Sequence, residues 1–236
     1  RQAAQAFNAM QHNLRRMIDT RAQALSAVSH DLRLPITRVR LRLESDMTPS
    51  TRDMIKRDLA DMDTMIGHTL DYLRSGTTQE KMIPVNLDAL IDSVVDDMEE
   101  LGASVLRNGG TSRPIMAGPH ALRRCMSNIM DNARIYGEGV FSVVVEDRNE
   151  DVQIEVSDRG PGISSENIDR VFEPYFRIES SRSRHTGGTG LGLSIARAIV
   201  EAHGGSISLR SSEEGKGVTV AVTIPRRSTT PDFRAY

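Results

Sequence analysis

The chain has 236 residues, of which 38% are hydrophobic, and this suffices for a buried core in one large domain or two ordinary ones. Its formal net charge of −2 lacks the basic excess typical of nucleic-acid-binding proteins, so we expect no direct binding to nucleic acid. The single cysteine, Cys125, excludes an internal disulfide and indicates a reducing compartment, and a buried core thiol is a simpler interpretation than a reactive one.

Two apolar stripes at helical spacing occupy the first third of the chain. Steps of three and four residues place each stripe on one face of a helix. Two such helices form an antiparallel hairpin that buries little alone, so we expect a homodimer in which two hairpins make a four-helix bundle. The alternative is that both helices pack on the second domain. The stripes are Leu25, Val28, Leu32, Ile36, Val39 and Leu43, then Ile55, Leu59, Met62, Ile66, Leu70 and Leu73.

From about Lys81 the pattern changes, and most of the 18 glycines follow. Short segments that alternate in polarity or are rich in β-branched residues predict strands, and longer periodic segments predict helices. The economical architecture is an α/β sandwich with helices on one face of a mixed sheet. We expect a loose tail from Arg226. Helices are predicted at 87–101, 119–135 and 192–203, and strands at 104–107, 114–117, 141–146, 152–157, 206–210 and 218–224.

His30 is the first candidate for chemistry. At 100° per residue it points away from the apolar stripe of its helix, next to Asp31 and five residues before Pro35. An exposed histidine beside a carboxylate can act as a nucleophile, since the carboxylate binds one ring nitrogen and leaves the other free to attack. The alternative is an ordinary solvated histidine.

Asn128 and Asn132 lie four residues apart on one predicted helix and therefore share a face. Amide oxygens suit Mg²⁺, which prefers oxygen ligands and keeps water and phosphate in its shell. The alternative is a polar helix face without a ligand.

Two glycine-rich stretches follow, Asp158–Ile163 (DRGPGI) after a strand and Gly187–Leu193 (GGTGLGL) at the start of a helix. Glycines let the backbone approach a ligand closely, and a helix N-terminus offers free N–H groups to phosphate. Neither stretch has the context of a dinucleotide-binding fingerprint or a P-loop.

The order of these motifs, with Phe172–Phe176 (FEPYF) between the last two, resembles the sensor histidine kinases, and most closely the EnvZ-type subgroup. Residues 29–44 (SHDLRLPITRVRLRLE) are similar to the phosphoacceptor box of that family, and residues 128–139 (NIMDNARIYGEG) to its asparagine box. The resemblance extends over about residues 5 to 225, and residues 6–10 (AFNAM) resemble the end of a HAMP linker. It implies a histidine-kinase/gyrase-type ATP-binding fold after the hairpin.

The resemblance implies a role for each matching residue. His30 would be phosphorylated with Asp31 as its acidic helper, and Asn132, with Asn128 beside it, would hold Mg²⁺. Tyr136 would pack on the adenine of ATP, and Asp158 would accept a hydrogen bond from the adenine amine. The remaining nucleotide-binding residues implied by the resemblance are Arg134, Gly137, Gly160, Gly162, Arg177, Arg182, Gly188, Thr189, Gly190, Leu191, Gly192, Leu193 and, through water, Thr219.

The chain departs from the family at three positions. Leu34 stands where many relatives have a threonine that helps to remove phosphate from the partner, and because a leucine cannot position water, we expect little phosphatase activity. Ile135 stands where a basic residue often precedes the tyrosine, and Arg134 lies one place earlier, about 100° away on a helix. Val218 follows Gly217 where many relatives have threonine.

The predicted organisation is a HAMP-like linker end (1–18), a dimerisation and phosphoacceptor domain (19–79), a catalytic ATP-binding domain (80–227) and a tail (228–236). The resemblance implies a response regulator as partner, of OmpR type. It also implies the cytoplasmic portion of a bacterial inner-membrane protein, attached to the membrane only through segments outside this chain, since no apolar run here approaches the roughly 20 residues of a span. Two alternatives are an ATPase of the gyrase and chaperone type and a non-catalytic dimeric adaptor.

Overall fold

The structure, a computed structural model, describes residues 32, 35–43, 48, 50–56, 58–59, 62, 66–67, 80–178, 190–211 and 217–226. The chain divides into two compact units, one formed mainly by Arg1–Arg74 and the other by Ser75–Thr186 with Gly190–Tyr236. No helix in the described ranges is both long enough and apolar enough to cross a membrane.

The first unit contains two helical segments, residues 35–43 and 50–56, that lie side by side. Arg42 on the first segment contacts the buried carboxylate of Asp58 and donates to the Met54 carbonyl at 3.1 Å. Arg38 Nη2 lies 3.5 Å from the same carboxylate. Contacts between residues this far apart in sequence require the chain to fold back between them, as the predicted hairpin does.

Apolar stripe residues on this unit are open to solvent in the single chain. Ile36 is 51% exposed, Leu43 56%, Leu59 48% and Ile66 41%. Leu25, Val28, Leu70 and Leu73, which complete the two stripes, lie outside the described residues. The dimeric bundle therefore stays a prediction.

The second unit follows the predicted α/β pattern. Two 3₁₀ turns, Ser165–Asn167 and Arg170–Phe172, come between its fifth strand and third helix. Its helices are α1 (Leu87–Glu100), α2 (Pro119–Tyr136) and α3 (Gly192–Ala202), and its strands are β1 (Ile83–Val85), β2 (Ser104–Gly110), β3 (Ile115–Ala117), β4 (Val140–Asp147), β5 (Asp151–Asp158), β6 (Ser206–Ser211) and β7 (Val218–Pro225).

The main sheet has five strands in the order β2-β4-β5-β7-β6, with β2 parallel to β4 and the other pairs antiparallel. Alternate residues of β5, Val152, Ile154 and Val156, are buried, as are their β7 partners. This alternation is expected of a sheet covered by helices on one face only. The mixed sheet with helices on one face is thus confirmed. β1 and β3 form a separate antiparallel ribbon.

Cys125 lies in the core beneath α3, where its Sγ is 3.7 Å from the Ala196 carbonyl. Burial raises the pKa of the thiol to about 12, so no thiolate forms near neutral pH. The interpretation of Cys125 as a core residue is confirmed.

Two features differ from the sequence prediction. The three-residue strand β1 was not predicted, because a short segment containing Pro84 carries almost no periodic signal. The loose tail does not start at Arg226, whose side chain is only 9% exposed. Its guanidinium contacts the Asp147 carboxylate and donates to the Arg113 and Pro114 carbonyls at 3.2 and 3.3 Å. Residues 227–236 lie outside the described residues.

Replacing Arg226 by alanine should lower the melting temperature of the second unit, because the carbonyls of the β2–β3 connection lose their donor. Hydrogen bonds from the Ser112 hydroxyl and N–H, and then from Arg226, hold the pKa of Asp147 well below its usual range. A carboxyl group whose pKa is lowered in the folded protein stabilises the fold at pH values above its pKa in the unfolded chain, about 3.9. This stabilisation is lost as the pH falls through the pKa of the folded state. The difference between wild type and Arg226→Ala, measured by calorimetry, should therefore shrink in acid.

Arg148→Ala is the matched control, since its pair with Glu146 is exposed on both sides and such pairs contribute little. Equal losses in the two variants would contradict a specific role for Arg226.

Candidate functional site

Asp158, the last residue of β5, is the half-buried carboxylate of the site. Its Oδ1 accepts hydrogen bonds from the Gly160 N–H at 2.8 Å and the Val218 N–H at 3.2 Å. Burial raises the pKa of Asp158, and these two amide bonds oppose the rise. Since no described residue donates to Oδ2, that oxygen can accept a hydrogen bond from a ligand.

Three glycines let the backbone close tightly around this aspartate. A Cβ added to Gly160 would lie 2.3 Å from the Tyr136 carbonyl oxygen, and one added to Gly137 would lie 2.7 Å from the Asp158 Cβ. At Gly217, which has φ +89°, a Cβ would lie 2.2 Å from the Asp158 carbonyl oxygen. Real Cβ atoms do not approach backbone this closely, so the end of β5 can meet the end of α2 only with glycine at these positions.

Asn128 and Asn132 lie on the face of α2 that meets the start of α3. A Cβ added to Gly192 would lie 3.7 Å from Asn132 Nδ2 and 3.8 Å from Asn128 Cβ. Asn128 Nδ2 is buried and has no hydrogen-bond partner among the described residues. The N-cap residue of α3, Leu191, provides no side-chain cap, while Ser194 Oγ donates to its carbonyl at 2.8 Å. The structure thus brings the asparagine pair next to Gly192, in the part of the second glycine-rich stretch that the structure describes.

The asparagine pair fits a magnesium ion in its chemistry, though it does not form a closed metal site. No cluster of three or more His, Cys, Asp or Glu among the described residues could hold a metal. Mg²⁺, however, takes one or two protein oxygens and completes its shell with phosphate and water. The unpartnered atom of Asn128 is its Nδ2, a hydrogen-bond donor that can reach a phosphate or water oxygen in the shell of the ion, while the amide oxygens of the pair are the atoms that could ligate Mg²⁺.

Three other predicted site residues lie at the C-terminal end of α2 and at the start of β7. Tyr136 is half-buried at the C-terminal end of α2, and Arg134 Nη2 pairs with Asp131 at 2.9 Å. Thr219 Oγ1 lies 2.8 Å from Ser157 Oγ. Because side chains alternate along a strand, these two hydroxyls lie on the opposite face of the sheet from Asp158.

The remaining candidates are placed as follows. Gly162 and Gly190 both have left-handed backbones, with φ of +74° and +71°, and Arg177 is half-buried. His30, Asp31, Leu34, Arg182, Gly188 and Thr189 lie outside the described residues.

Gly217 is a site residue that the sequence analysis did not predict. Its N–H donates to the Gly160 carbonyl at 2.6 Å. Gly137, Gly160 and Gly217 thus surround Asp158, and we call these three residues the glycine frame. The available signal was a glycine directly before the predicted strand 218–224, a segment rich in β-branched residues.

Residues 117–228 match the family model described as histidine kinase-, DNA gyrase B-, and HSP90-like ATPase. Over 225 residues the chain is 37% identical to the sensor histidine kinase GtrS of Pseudomonas aeruginosa, a match that covers 95% of this chain and 46% of GtrS. Over 239 residues it is 30% identical to the sensor protein RstB of Escherichia coli, covering 97% of this chain and 54% of RstB. The chain thus spans about half the length of these relatives.

Among solved structures, the fold is similar to the histidine kinase ThkA in its complex with the response regulator protein TrrA. The TM-score is 0.72 at 22% sequence identity, over 90% of this chain and 64% of that chain. At this identity the likeness concerns the fold.

Gly160→Ala should destabilise the second unit by about 1–3 kcal/mol, because its new methyl group would overlap the fixed Tyr136 carbonyl. Gly160 does not have a positive φ, so steric overlap alone is tested. Gly192→Ala is the matched control, since its methyl group would meet only atoms at 3.7 Å or more. Urea unfolding measures both, and an unchanged midpoint for Gly160→Ala would contradict the close approach.

Proposed function

We propose that the chain is a histidine autokinase. It is homologous to sensor histidine kinases, and its own residues 117–228 match the histidine kinase-, DNA gyrase B- and HSP90-like ATPases. In the proposed reaction ATP phosphorylates His30, and the phosphoryl group then passes to an aspartate of a response regulator. The observation that carries the ATP site is the glycine frame around Asp158, which leaves one carboxylate oxygen for a ligand next to the end of α2.

The base of ATP would bind at the Asp158 end. Oδ2 of the ionised carboxylate accepts from the exocyclic amine of adenine, and Tyr136 packs on the ring. Gly137, Gly160 and Gly162 keep the backbone free of side chains there. We leave Thr219 out of this group, because its hydroxyl bonds Ser157 on the opposite face of the sheet.

The phosphates would bind at the start of α3. Backbone N–H groups from Gly190 to Leu193 face a position where a helix N-terminus favours negative charge. The family resemblance implies that Arg177, Arg182, Gly188 and Thr189 would also contact the phosphates, although the last three lie outside the described residues. Arg134 already pairs with Asp131, so a phosphate would compete with that carboxylate for it. Asn132 and Asn128 would hold Mg²⁺, which when bound neutralises charge on the phosphates.

The transfer step is a simple exchange at phosphorus. A lone pair of the His30 ring attacks the γ-phosphorus, an N–P bond forms, and the bond from phosphorus to the β–γ bridging oxygen breaks to release ADP. Asp31 orients the ring by accepting from its other nitrogen. Alignment and charge neutralisation supply most of the acceleration in such transfers.

The chain would act as a homodimer attached to a membrane through segments beyond it. The exposed stripe residues Ile36, Leu43, Leu59 and Ile66 provide the apolar surface for a four-helix bundle. The response regulator found with ThkA supports a partner of that kind, and we propose one of OmpR type. Residues 1–18 would carry the signal from a HAMP-like linker.

Hydrolysis of ATP by water is less well supported as the main activity. An ATPase of the gyrase type places a glutamate before its magnesium-binding asparagine to activate water, and here Asn128 stands at that position. A neutral amide cannot accept the proton of water. A non-catalytic adaptor would not need the frame around Asp158.

Incubation with γ-labelled ATP and Mg²⁺ should label the native chain and leave His30→Gln unlabelled, since His30 supplies the attacking nitrogen. The label should be acid-labile and base-stable, as a phosphohistidine is. Binding of ADP by both proteins, measured by calorimetry, controls for folding. Label on both proteins, or phosphate release without label, would contradict the proposal.

Leu34→Thr should raise a slow rate of response-regulator dephosphorylation, because threonine can hold a water that leucine cannot. Loss of label from a phosphorylated regulator, in the presence of ADP and each variant, measures that rate. Leu34→Val is the control, since it matches threonine in shape without the hydroxyl. Rapid dephosphorylation by the native chain would show that Leu34 does not limit this activity.

A further inference from the structure

Tyr175 has a backbone conformation that a bulky residue rarely adopts. Its φ is +64°, and Glu138 is the only other non-glycine residue with positive φ in the described parts of the chain. For an L-residue this left-handed region is unfavourable, because the Cβ lies too close to the following carbonyl oxygen. Such strain persists only where the surroundings hold it in place, and it concentrates at functional sites.

The surroundings of Tyr175 hold it against Gly190. The Tyr175 N–H donates to the Gly190 carbonyl at 2.9 Å. A Cβ added to Gly190 would lie 2.9 Å from the Tyr175 carbonyl carbon and 3.0 Å from the Phe176 carbonyl oxygen. With φ of +71°, Gly190 is itself left-handed. The two residues therefore interlock through backbone, and neither can shift without moving the other.

Aromatic contacts brace the same segment from both sides. Phe176 is the residue that follows Tyr175, and the centroid of its ring lies 4.3 Å from the Arg170 Cζ. Arg197, on α3, has its Cζ 5.7 Å from the ring centroid of the buried Phe172. The first contact ties the two ends of residues 170–176 to each other, and the second attaches this segment to α3, in addition to the hydrogen bond from Tyr175 to Gly190.

Gly190, the partner of Tyr175, lies two residues before Gly192, where α3 begins. Gly192 is also the point at which α3 meets Asn132 and Asn128. A displacement of Gly190 by a fraction of an ångström would move the first N–H groups of α3 relative to both asparagines. The backbone of Tyr175 thus controls a distance that the proposed phosphate site depends on, although the residue is not placed on the nucleotide.

We propose that Tyr175 is a positioning residue whose left-handed backbone sets the start of α3 against the asparagine pair, and so tunes the phosphate end of the nucleotide site. The proposal rests on the proposed ATP function. It assigns Tyr175 no contact with the base, which binds at the separate frame around Asp158. Its role is carried by backbone conformation and not by the phenol ring.

Asparagine and valine at this position separate backbone from side chain. They are similar in size, but asparagine tolerates the left-handed region and valine, being β-branched, does not. In Tyr175→Val the backbone would relieve its strain by displacing Gly190, and ADP binding would have to reverse that displacement. We therefore expect about tenfold weaker ADP binding, which corresponds to about 1.4 kcal/mol. Tyr175→Asn should bind ADP within about twofold of the native chain. Adenosine, which lacks phosphate, should bind all three proteins equally in an NMR titration.

Two outcomes of these binding measurements would overturn the proposal. Equal losses in Tyr175→Asn and Tyr175→Val, with Tyr175→Phe unaffected, would assign the role to the ring. A parallel loss of adenosine affinity in Tyr175→Val would show general damage to the fold.

A measurement without ligand keeps this test apart from the ATP proposal. In the free protein, Tyr175→Val should shift the amide resonances of Gly190 and Gly192 and the side-chain amide of Asn132, and Tyr175→Asn should leave them in place. Unmoved resonances in Tyr175→Val would overturn the positioning role. Failure of the native chain to bind ADP would overturn the proposed function alone, provided that these shifts are seen.

Discussion

The close backbone approach between the end of β5 and the end of α2 is the constraint on which the site depends. Gly137, Gly160 and Gly217 leave no room for a Cβ, and together they enclose Asp158. Its Oδ1 is held by two backbone N–H groups, so the direction of the carboxylate is fixed by main chain. A site built this way has little freedom to adjust, and any side chain added inside the frame must displace a strand or a helix.

The position of the asparagine pair follows from the way α2 is held at both ends. At its start, the Glu80 carboxylate accepts from the His120 and Ala121 N–H groups at 3.1 and 2.9 Å, which supplies the cap that Gly118 lacks. The Gly118 N–H donates to Nε2 of the buried His203 at 3.0 Å. At its end, α2 meets the glycine frame. Asn128 and Asn132 lie between these two fixed points.

Local pattern was enough to predict most of the second unit, because β-branched alternation and helical periodicity are properties of short segments. The same reasoning placed Asn128 and Asn132 on one face, since that requires only the helical repeat. It missed Glu80, which caps a helix 40 positions away, and the mostly covered side chain of Arg226, because such contacts depend on tertiary structure. The direction of the Thr219 hydroxyl depends on strand register, and the left-handed backbone of Tyr175 on its partner Gly190. Neither can be read from residue type.

The two ends of the proposed nucleotide site are built differently, and this has a consequence for the ligands they would bind. The base end depends on contacts among main-chain atoms near Asp158, whereas the phosphate end depends on the strained Tyr175, its backbone hydrogen bond to Gly190 and the cation–π contacts of Phe172 and Phe176. ATP and ADP have the same base and differ only in their phosphates. In the proposed site a rigid base end would bind both nucleotides equally, so any preference between them would arise at the phosphate end, which includes the start of α3 and the asparagine pair. A sequence change in residues 170–176 can then alter the balance between substrate and product without altering recognition of the base.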